Sequence, residues 1–460
     1  MSELPNNWIT ARLVDLAEDI SYGYTASSTR ERIGPHLLRI TDIQENEVLW
    51  NSVPYCEIDS EQANKYLLKE NDLVFARTGA TVGKSFLIRG EIPDAVFASY
   101  LIRVRCMRPE AAGYLSLYFR SQDYWRQITG FSAGIGQPNV NGSKLKELVI
   151  PLPPLAEQTR ITAKLDELLA QVDTLKARID SIPALLKRFR QSVLSAAVSG
   201  RLTEEWRAKN GAKIEVEGSA AETSEEFTWP MVRLGDVALD FSYGSSAKSQ
   251  RDGDIPVLRM GNIQGGRLVW DDLVFSSNPE ELKKYSLQVG DVLFNRTNSP
   301  ELVGKTATYK GEQPAIYAGY LIRVRCSERL TSDFLNYCLN SPLGKDYCWQ
   351  VKTDGVSQSN INAKKLADFR FGLPSTEEQT EIVRCVDQLF SFAERLEARV
   401  SDARIRIDRL TQSILAKALR GDLVPQDPND EPANLLLDRI KAQRAAVPKN
   451  KRGRRSSTEA

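Results

Sequence analysis

From its first tryptophan to its last long apolar pattern this chain is written twice, and a repeat of that length admits only an architecture of two like units. Trp8 is matched by Trp229 at an offset of 221, Arg12 to Asp15 (RLVD) by Arg233 to Asp236 (RLGD), and Ser21-Tyr-Gly23 by Ser242-Tyr-Gly244. Asp72 to Thr78 (DLVFART) returns as Asp291 to Thr297 (DVLFNRT), Val82-Gly-Lys84 as Val303-Gly-Lys305, and Tyr100 to Cys106 (YLIRVRC) as Tyr320 to Cys326. Gln137-x-Asn139-x-Asn141 recurs as Gln358-x-Asn360-x-Asn362, and Glu157-Gln158 as Glu378-Gln379. Solenoid repeats are far shorter, roughly 20 to 50 residues. This one is a duplicated domain together with its own helical extension.

At 460 residues the chain exceeds what one apolar core usually supports, and the duplication says where two cores lie. Basic residues number 61 and acidic residues 60, which excludes attachment to nucleic acid by bulk charge; any basic surface is local. None of the six cysteines forms a Cys-x-x-Cys, and the single histidine, His36, leaves no set at zinc-ligand spacing. Cys106 and Cys326 follow apolar runs at matching places and are expected in the cores. The sequence opens without a basic-then-apolar leader and holds no apolar stretch of membrane-spanning length, so a cytoplasmic protein without membrane contact is expected.

Residues 1–150 mix short apolar runs, such as Leu73 to Phe75 and Leu101 to Val104, with Gly, Pro and Asn punctuation that reads as short strands. After Tyr114 the spacing turns helical, with Leu117, Trp125 and Ile128 as buried anchors. The domain is therefore α+β, and 229–372 should share its fold. From Pro151 the pattern changes again, to Ile161, Leu165, Leu168, Val172, Leu175, Ile179, Ile182, Leu186, Phe189 and Val193. The second copy repeats it at Ile382, Val386, Leu389, Ala393, Leu396, Val400, Ala403, Ile407, Leu410 and Ile414. Steps alternating four and three are those of a coiled-coil seam, about 48 Å long from 161 to 193 if it stays helical. Pro183, where the second copy has Arg404, should kink or split the first helix. Gly200 and Gly421 suit helix C-caps. Residues 203–228 read as a charged linker, and 424–460 as a flexible tail with one short helix near Leu435 to Arg444 and a basic end at Lys449, Lys451, Arg452, Arg454 and Arg455.

Enzyme signals are few. Gly79-Ala-Thr-Val-Gly83-Lys84-Ser85 has three residues between its glycines where a phosphate-binding loop has four, and the second copy puts Pro300 where backbone donors would be needed. A turn feeding a strand, with an exposed lysine, accounts for both copies. An amino-methylating Asn/Asp-Pro-Pro-aromatic segment is missing, and one histidine supplies little acid–base chemistry. What remains are matching polar loops at 131–143 and 353–362, whose Gln137, Asn139, Asn141, Gln358, Asn360 and Asn362 donate and accept together. Such side chains pair with adenine edges, arginine with guanine, and glycine allows close approach to phosphate. Arg77, Thr78 and Lys84, with Arg296, Thr297, Asn298 and Lys305, are further candidates for nucleic-acid contact, base or phosphate. Tyr22 and Tyr243 either stack or simply pack. The rival readings are an enzyme, a methyltransferase or NTPase, and a coiled-coil scaffold without nucleic acid.

Taken over nearly its full length, the chain resembles the specificity subunit of type I restriction-modification systems, with two target-recognition domains each followed by a similar helical region. The stretch Pro151 to Gln158 (PLPPLAEQ), Lys187 to Leu194 (KRFRQSVL) before Gly200, and Leu410 to Lys417 (LTQSILAK) resemble the enteric, IA-like branch. The resemblance implies recognition domains at 1–150 and 229–372, helical spacers at 151–202 and 373–423, and two long antiparallel coiled-coil helices under a pseudo-twofold internal repeat. It implies a subunit without catalysis or cofactor that reads a bipartite, asymmetric double-stranded DNA target. Its expected partners are two modification subunits carrying S-adenosylmethionine and two restriction subunits using ATP and Mg.

Overall fold

The computed structural model describes residues 4–44, 47–79, 81–132, 140–210, 229–356 and 358–446. The chain divides into two compact units, the first made of residues 1–179 with 402–460 and the second of 180–401.

In the first unit, Ile9–Arg12 pairs antiparallel with Val149–Leu152 and so brings the beginning of the domain to its end. Between them lies a four-stranded antiparallel sheet in the order Ala17–Tyr22, Leu101–Cys106, Leu73–Ala76, Ser85–Leu87. The second unit repeats both features. Met231–Arg233 pairs with Arg370–Gly372, and the sheet runs Ala238–Tyr243, Leu321–Cys326, Val292–Asn295, Thr306–Thr308. Even the irregularity is copied, a register shift between Ala17 and Asp19 and between Ala238 and Asp240. Helices Ala112–Tyr118 and Gln122–Ser132 cover one sheet, and Ser332–Asn340 and Pro342–Val351 the other.

The repeated motifs are now physical. The Trp8 indole donates to Glu157 Oε2 at 2.9 Å and the Trp229 indole to Glu378 Oε2 at 3.1 Å, each tying the first strand to the start of a long helix. Gln158 and Gln379 donate to the carbonyls of Pro153 and Pro374, closing the same junction. The two arginines of each LIRVRC strand are internally neutralised: Arg103 by Asp19, Arg105 by Asp72, Arg323 by Asp240 and Arg325 by Asp291. Ser-Tyr-Gly needs its glycine because a Cβ on Gly23 would stand 2.2 Å from the carbonyl oxygens of Phe97 and Ala98, and one on Gly244 2.2 Å from that of Tyr317. Cys106 lies in the first core and Cys326 packs against the second, and burial pushes both thiols up to about 12.

Both long helices form, Leu155–Val198 and Thr376–Arg420. They run antiparallel: Lys176 reaches Asp408 within the first unit, and Arg190 grips Glu397 at 2.6 and 3.0 Å within the second. The first helix is continuous through Pro183, which is exposed, so the expected split does not occur. Gly200 and Gly421 take left-handed backbone, φ 80° and 79°, just past the helix ends.

The seam is a mixed result. Ile161, Leu165, Val172, Ile382, Val386 and Val400 are buried, whereas Leu168, Ile179, Leu389, Leu396 and Ile407 are only partly so and Leu175 is exposed. Leu169 and Phe390 take the places in the cores that Leu168 and Leu389 were expected to fill. The helix ends pack against a domain as well as against each other, so their apolar face is wider than a two-helix seam. Trp125 is another correction: Leu117 and Ile128 are buried, but its indole is at the surface. So is the C-terminal stretch. From Pro425 to Ala446 it is built into the first unit, where Asp430 pairs with Arg160, Gln426 donates to Glu157, and Ala433, Leu436, Leu437 and Ile440 of helix Ala433–Ala446 enter the core. Its apolar spacing was too short for composition to reveal. The basic residues 449–455 lie outside the described residues.

Candidate nucleic-acid interface

Each four-stranded sheet ends on the same side in a tyrosine, an arginine and a second tyrosine. Tyr22 closes the strand Ala17–Tyr22, Arg77 follows Leu73–Ala76, and Tyr100 precedes Leu101–Cys106. The antiparallel register brings them together, and the Arg77 amide donates to the Tyr100 carbonyl at 3.0 Å. The Arg77 guanidinium lies over the Tyr22 ring, 5.0 Å from its centroid. In the second unit Arg296 donates to the Tyr320 carbonyl at 3.0 Å and sits 4.8 Å from the Tyr243 centroid. All four rings are open to solvent, Tyr22 at 41%, Tyr100 at 42%, Tyr243 at 43% and Tyr320 at 48%.

The polar loops arrive at this cluster. The Arg77 carbonyl accepts from Val140, and the Tyr22 hydroxyl accepts from the Gly142 amide at 2.9 Å. Correspondingly, the Arg296 carbonyl accepts from Ile361, and the Tyr243 hydroxyl from the Ala363 amide at 2.9 Å. Asn141 and Asn362 then cap the short helices Gly142–Lys146 and Ala363–Ala367, accepting from the amides of Lys144 and Lys365 at 2.9 Å each. Their repetition is thus explained by capping, which needs a short side-chain acceptor at this point. Tyr22 and Tyr243 both pack under an arginine and hold a loop.

The remaining candidates fall as follows. Thr297–Asn298 forms a short strand paired with Ser359–Asn360, which pairs in turn with Thr353–Asp354. Asn360 donates to the Thr297 hydroxyl at 2.8 Å and Asn298 accepts from the Ser299 amide, so both side chains are engaged within the domain. Gln358 is exposed at the hairpin turn. Lys305 reaches Gln264 at 3.1 Å, while Thr78 and Lys84 are exposed. Gln137 and Asn139 lie outside the described residues. The segment Gly79 to Ser85 joins two antiparallel strands, not a strand and a helix, so it lacks the geometry of a phosphate-binding loop. Sequence reasoning missed Tyr100 and Tyr320, although each opens the most nearly identical motif of the repeat.

Such a molecule is a duplicated α+β protein with a like face of aromatic and cationic side chains in each unit and two long helices. Residues 7–184 and 226–403 each match the family described as Type I restriction modification DNA specificity domain. The chain is 36% identical over 367 residues to the EcoKI specificity subunit of Escherichia coli K12, covering 76% of each chain. It is 35% identical over 416 residues to the StySPI specificity subunit of Salmonella potsdam, covering 85% of this chain and 86% of that one. Among solved structures, the HsdS subunit from Thermoanaerobacter tengcongensis has the same fold (TM-score 0.56, 21% identity, 92% of this chain and 98% of that one). A chain from a study of complex assembly and conformational transition in a type I R-M system shares it too (TM-score 0.64, 21% identity, 92% and 100%). The chain belongs to the type I restriction-modification DNA specificity family. Its place in that family is with the specificity subunits, whose part is recognition of the DNA target and not catalysis.

Proposed function

We propose that this chain reads a bipartite, asymmetric double-stranded DNA target, one half through each unit, and that its helices dock two modification subunits and, in the restriction complex, two restriction subunits. The observation that carries the reading is the recurrence of one exposed tyrosine–arginine–tyrosine face in both copies of a matched family domain. Recognition residues on this reading are 1–150 and 229–372, spaced by 151–202 and 373–423. DNA contacts fall on Arg77, Thr78, Lys84, Arg296 and Lys305 and on the loops bearing Gln137, Asn139, Asn141, Gln358, Asn360 and Asn362, with Thr297 and Asn298 beside them. S-adenosylmethionine belongs to the modification partners, and ATP and Mg to the restriction partners. The protein acts in the cytoplasm; no helix among the described residues is long and apolar enough to cross a membrane.

The test is to map methylated adenines across the genome of a host expressing this chain with its modification partner. Methylation at a two-part motif with an unread interval, lost when this chain is deleted, is the expected result. Methyl transfer by this chain alone would instead favour an enzyme, and a reconstituted complex that binds no duplex would favour a scaffold.

A further inference from the structure

Resting on that reading, we propose that Arg77 and Arg296 are sequence-neutral grips on the DNA phosphates, each aimed by the tyrosine beneath it, Tyr22 or Tyr243.

Along each sheet and at its margin, arginines of the scaffold have carboxylate partners: Arg39 with Asp42, Arg103 with Asp19 and Arg105 with Asp72 in the first unit, and Arg259 with Asp272, Arg323 with Asp240 and Arg325 with Asp291 in the second. Arg77 and Arg296 do not. Among the described residues no hydrogen bond or ion pair holds the Arg77 side chain, and Arg296 has only the Gly319 carbonyl, at 3.1 Å. A guanidinium left without a counter-charge amid neutralised neighbours is set up for an anion from outside, and its fork of donors matches phosphate.

A cation over an aromatic face is attracted to it, so the ring fixes where the guanidinium lies. The same ring's hydroxyl oxygen accepts a backbone N–H at the root of the loop helix, 2.9 Å in both units. Arginine and loop are therefore placed by one side chain, twice, to within 0.2 Å in the centroid distances of 5.0 and 4.8 Å.

An element identical in both units cannot tell one half of an asymmetric target from the other. It suits what every half-site shares, the sugar-phosphate backbone, which takes at least half of protein–DNA hydrogen bonds. Base reading is left to the parts of this face where the copies differ.

The experiment measures binding of the reconstituted complex with its modification subunits to a cognate and an unrelated duplex over a range of salt. The Arg77→Ala/Arg296→Ala variant should weaken both duplexes alike, by about 100-fold, and lower the magnitude of the log–log salt slope by about 1.8, since each lost phosphate contact removes about 0.9. Arg77→Lys/Arg296→Lys should keep the slope. Tyr22→Phe/Tyr243→Phe keeps the ring and loses the hydroxyl, so it should weaken binding several-fold at unchanged slope. If the alanine pair does not assemble, Arg77→Gln/Arg296→Gln takes its place under the same criterion. A wild-type complex that binds no duplex sinks the recognition reading itself. A wild-type complex that binds, with a charge-free pair whose slope is unchanged or whose loss falls on the cognate duplex alone, overturns only the grip.

Discussion

The two units share a scaffold and diverge at its exposed rim, and the divergence begins with two residues. Between the threonine after the arginine and the repeated Val-Gly-Lys, the first unit has Gly79, Ala80 and Thr81, whereas the second has Asn298 to Leu302. The longer connection lets Thr297–Asn298 become a strand, and that strand pins the hairpin of Thr353–Asp354 and Ser359–Asn360. In the second unit the inserted residues thus take part in holding the neighbouring loop, while the sheet, the Trp–Glu junction and the tyrosine–arginine face are alike in both units. Loops absorb such changes because they carry few obligatory contacts. Scaffold and rim obey different constraints within one domain.

The largest effect that can break this comparison is on specificity. Exchanging residues 1–150 for the corresponding domain of a relative should replace one half of the methylated motif completely and leave the other, and exchanging 229–372 should do the converse; methylome mapping that finds both halves altered by one exchange removes the independence of the units. Next come the two junction carboxylates, alike in sequence but not in company. Glu378 is ion-paired to Arg207, both nearly buried, and accepts from Thr203, while among the described residues the hydrogen bonds to Glu157 come from the neutral donors of Trp8 and Gln426. Glu378→Gln strands a charge and should cost about 3 kcal/mol of unfolding free energy, against about 1 for Glu157→Gln, in denaturant titrations. Equal losses would mean that Arg207 finds another partner. Smaller again, Asn360→Ala should cost about 1 kcal/mol and speed amide exchange over 353–360 in the second unit. The cap substitutions Asn141→Ala and Asn362→Ala should cost about 1 kcal/mol each, equally in the two units.

The smallest effect is one of acid. Burial raises the Asp19 carboxyl, but hydrogen bonds from Arg103 and Ser21 and the nearby charges outweigh it and hold it below its ordinary value; Asp240 is held low in the same way by Ser242 and Arg323. In the second unit Glu397 is also lowered, by its bond to Arg190, and Glu381 by Arg384. Each such group contributes stability fully present above its unfolded value, about 3.9 for Asp and 4.3 for Glu, and lost as pH falls through the lower folded value. Glu157 has the opposite sign: burial raises it despite the bonds from Trp8 and Gln426, so its contribution is best when protonated and declines as pH climbs past about 4.3. On acidification below pH about 4 the second unit should therefore open first, as followed by amide exchange in each unit. Simultaneous opening would place the acid sensitivity elsewhere.

Much of this architecture was legible in the chain because duplication is legible: the repeat announced two like domains, the apolar periods located both long helices, and Gly200 and Gly421 marked their ends. What escaped were residues whose role depends on partners distant in sequence. Glu157 and Glu378 recurred in the sequence with no role attached, and their acceptor oxygens serve tryptophans 149 residues away. Asn141 and Asn362 carried the chemistry of base readers and act as caps, a role visible only once Gly142 and Ala363 are seen to begin helices. Trp125 sits at helical spacing yet faces outward, since period alone does not say which stripe is covered. Leu168 and Leu389 were chosen on a heptad, and the domains beside them shifted the buried stripe by one residue.

The way each unit is completed has a consequence for how the protein is made. The second unit is a single stretch of chain, closed at Glu378 by Thr203 and Arg207, which have already been synthesised when that carboxylate emerges. The first unit is discontinuous: Gln426 joins Glu157 across 269 residues, and Arg444 reaches the carbonyl of Val14 across 430. On the ribosome the later-encoded unit can therefore finish before the earlier one, which waits with its Trp8 edge uncovered until helix Ala433–Ala446 is released. Because contacts so distant in sequence form slowly and expose apolar surface meanwhile, that later helix sets the pace at which the earlier-made domain becomes safe from aggregation.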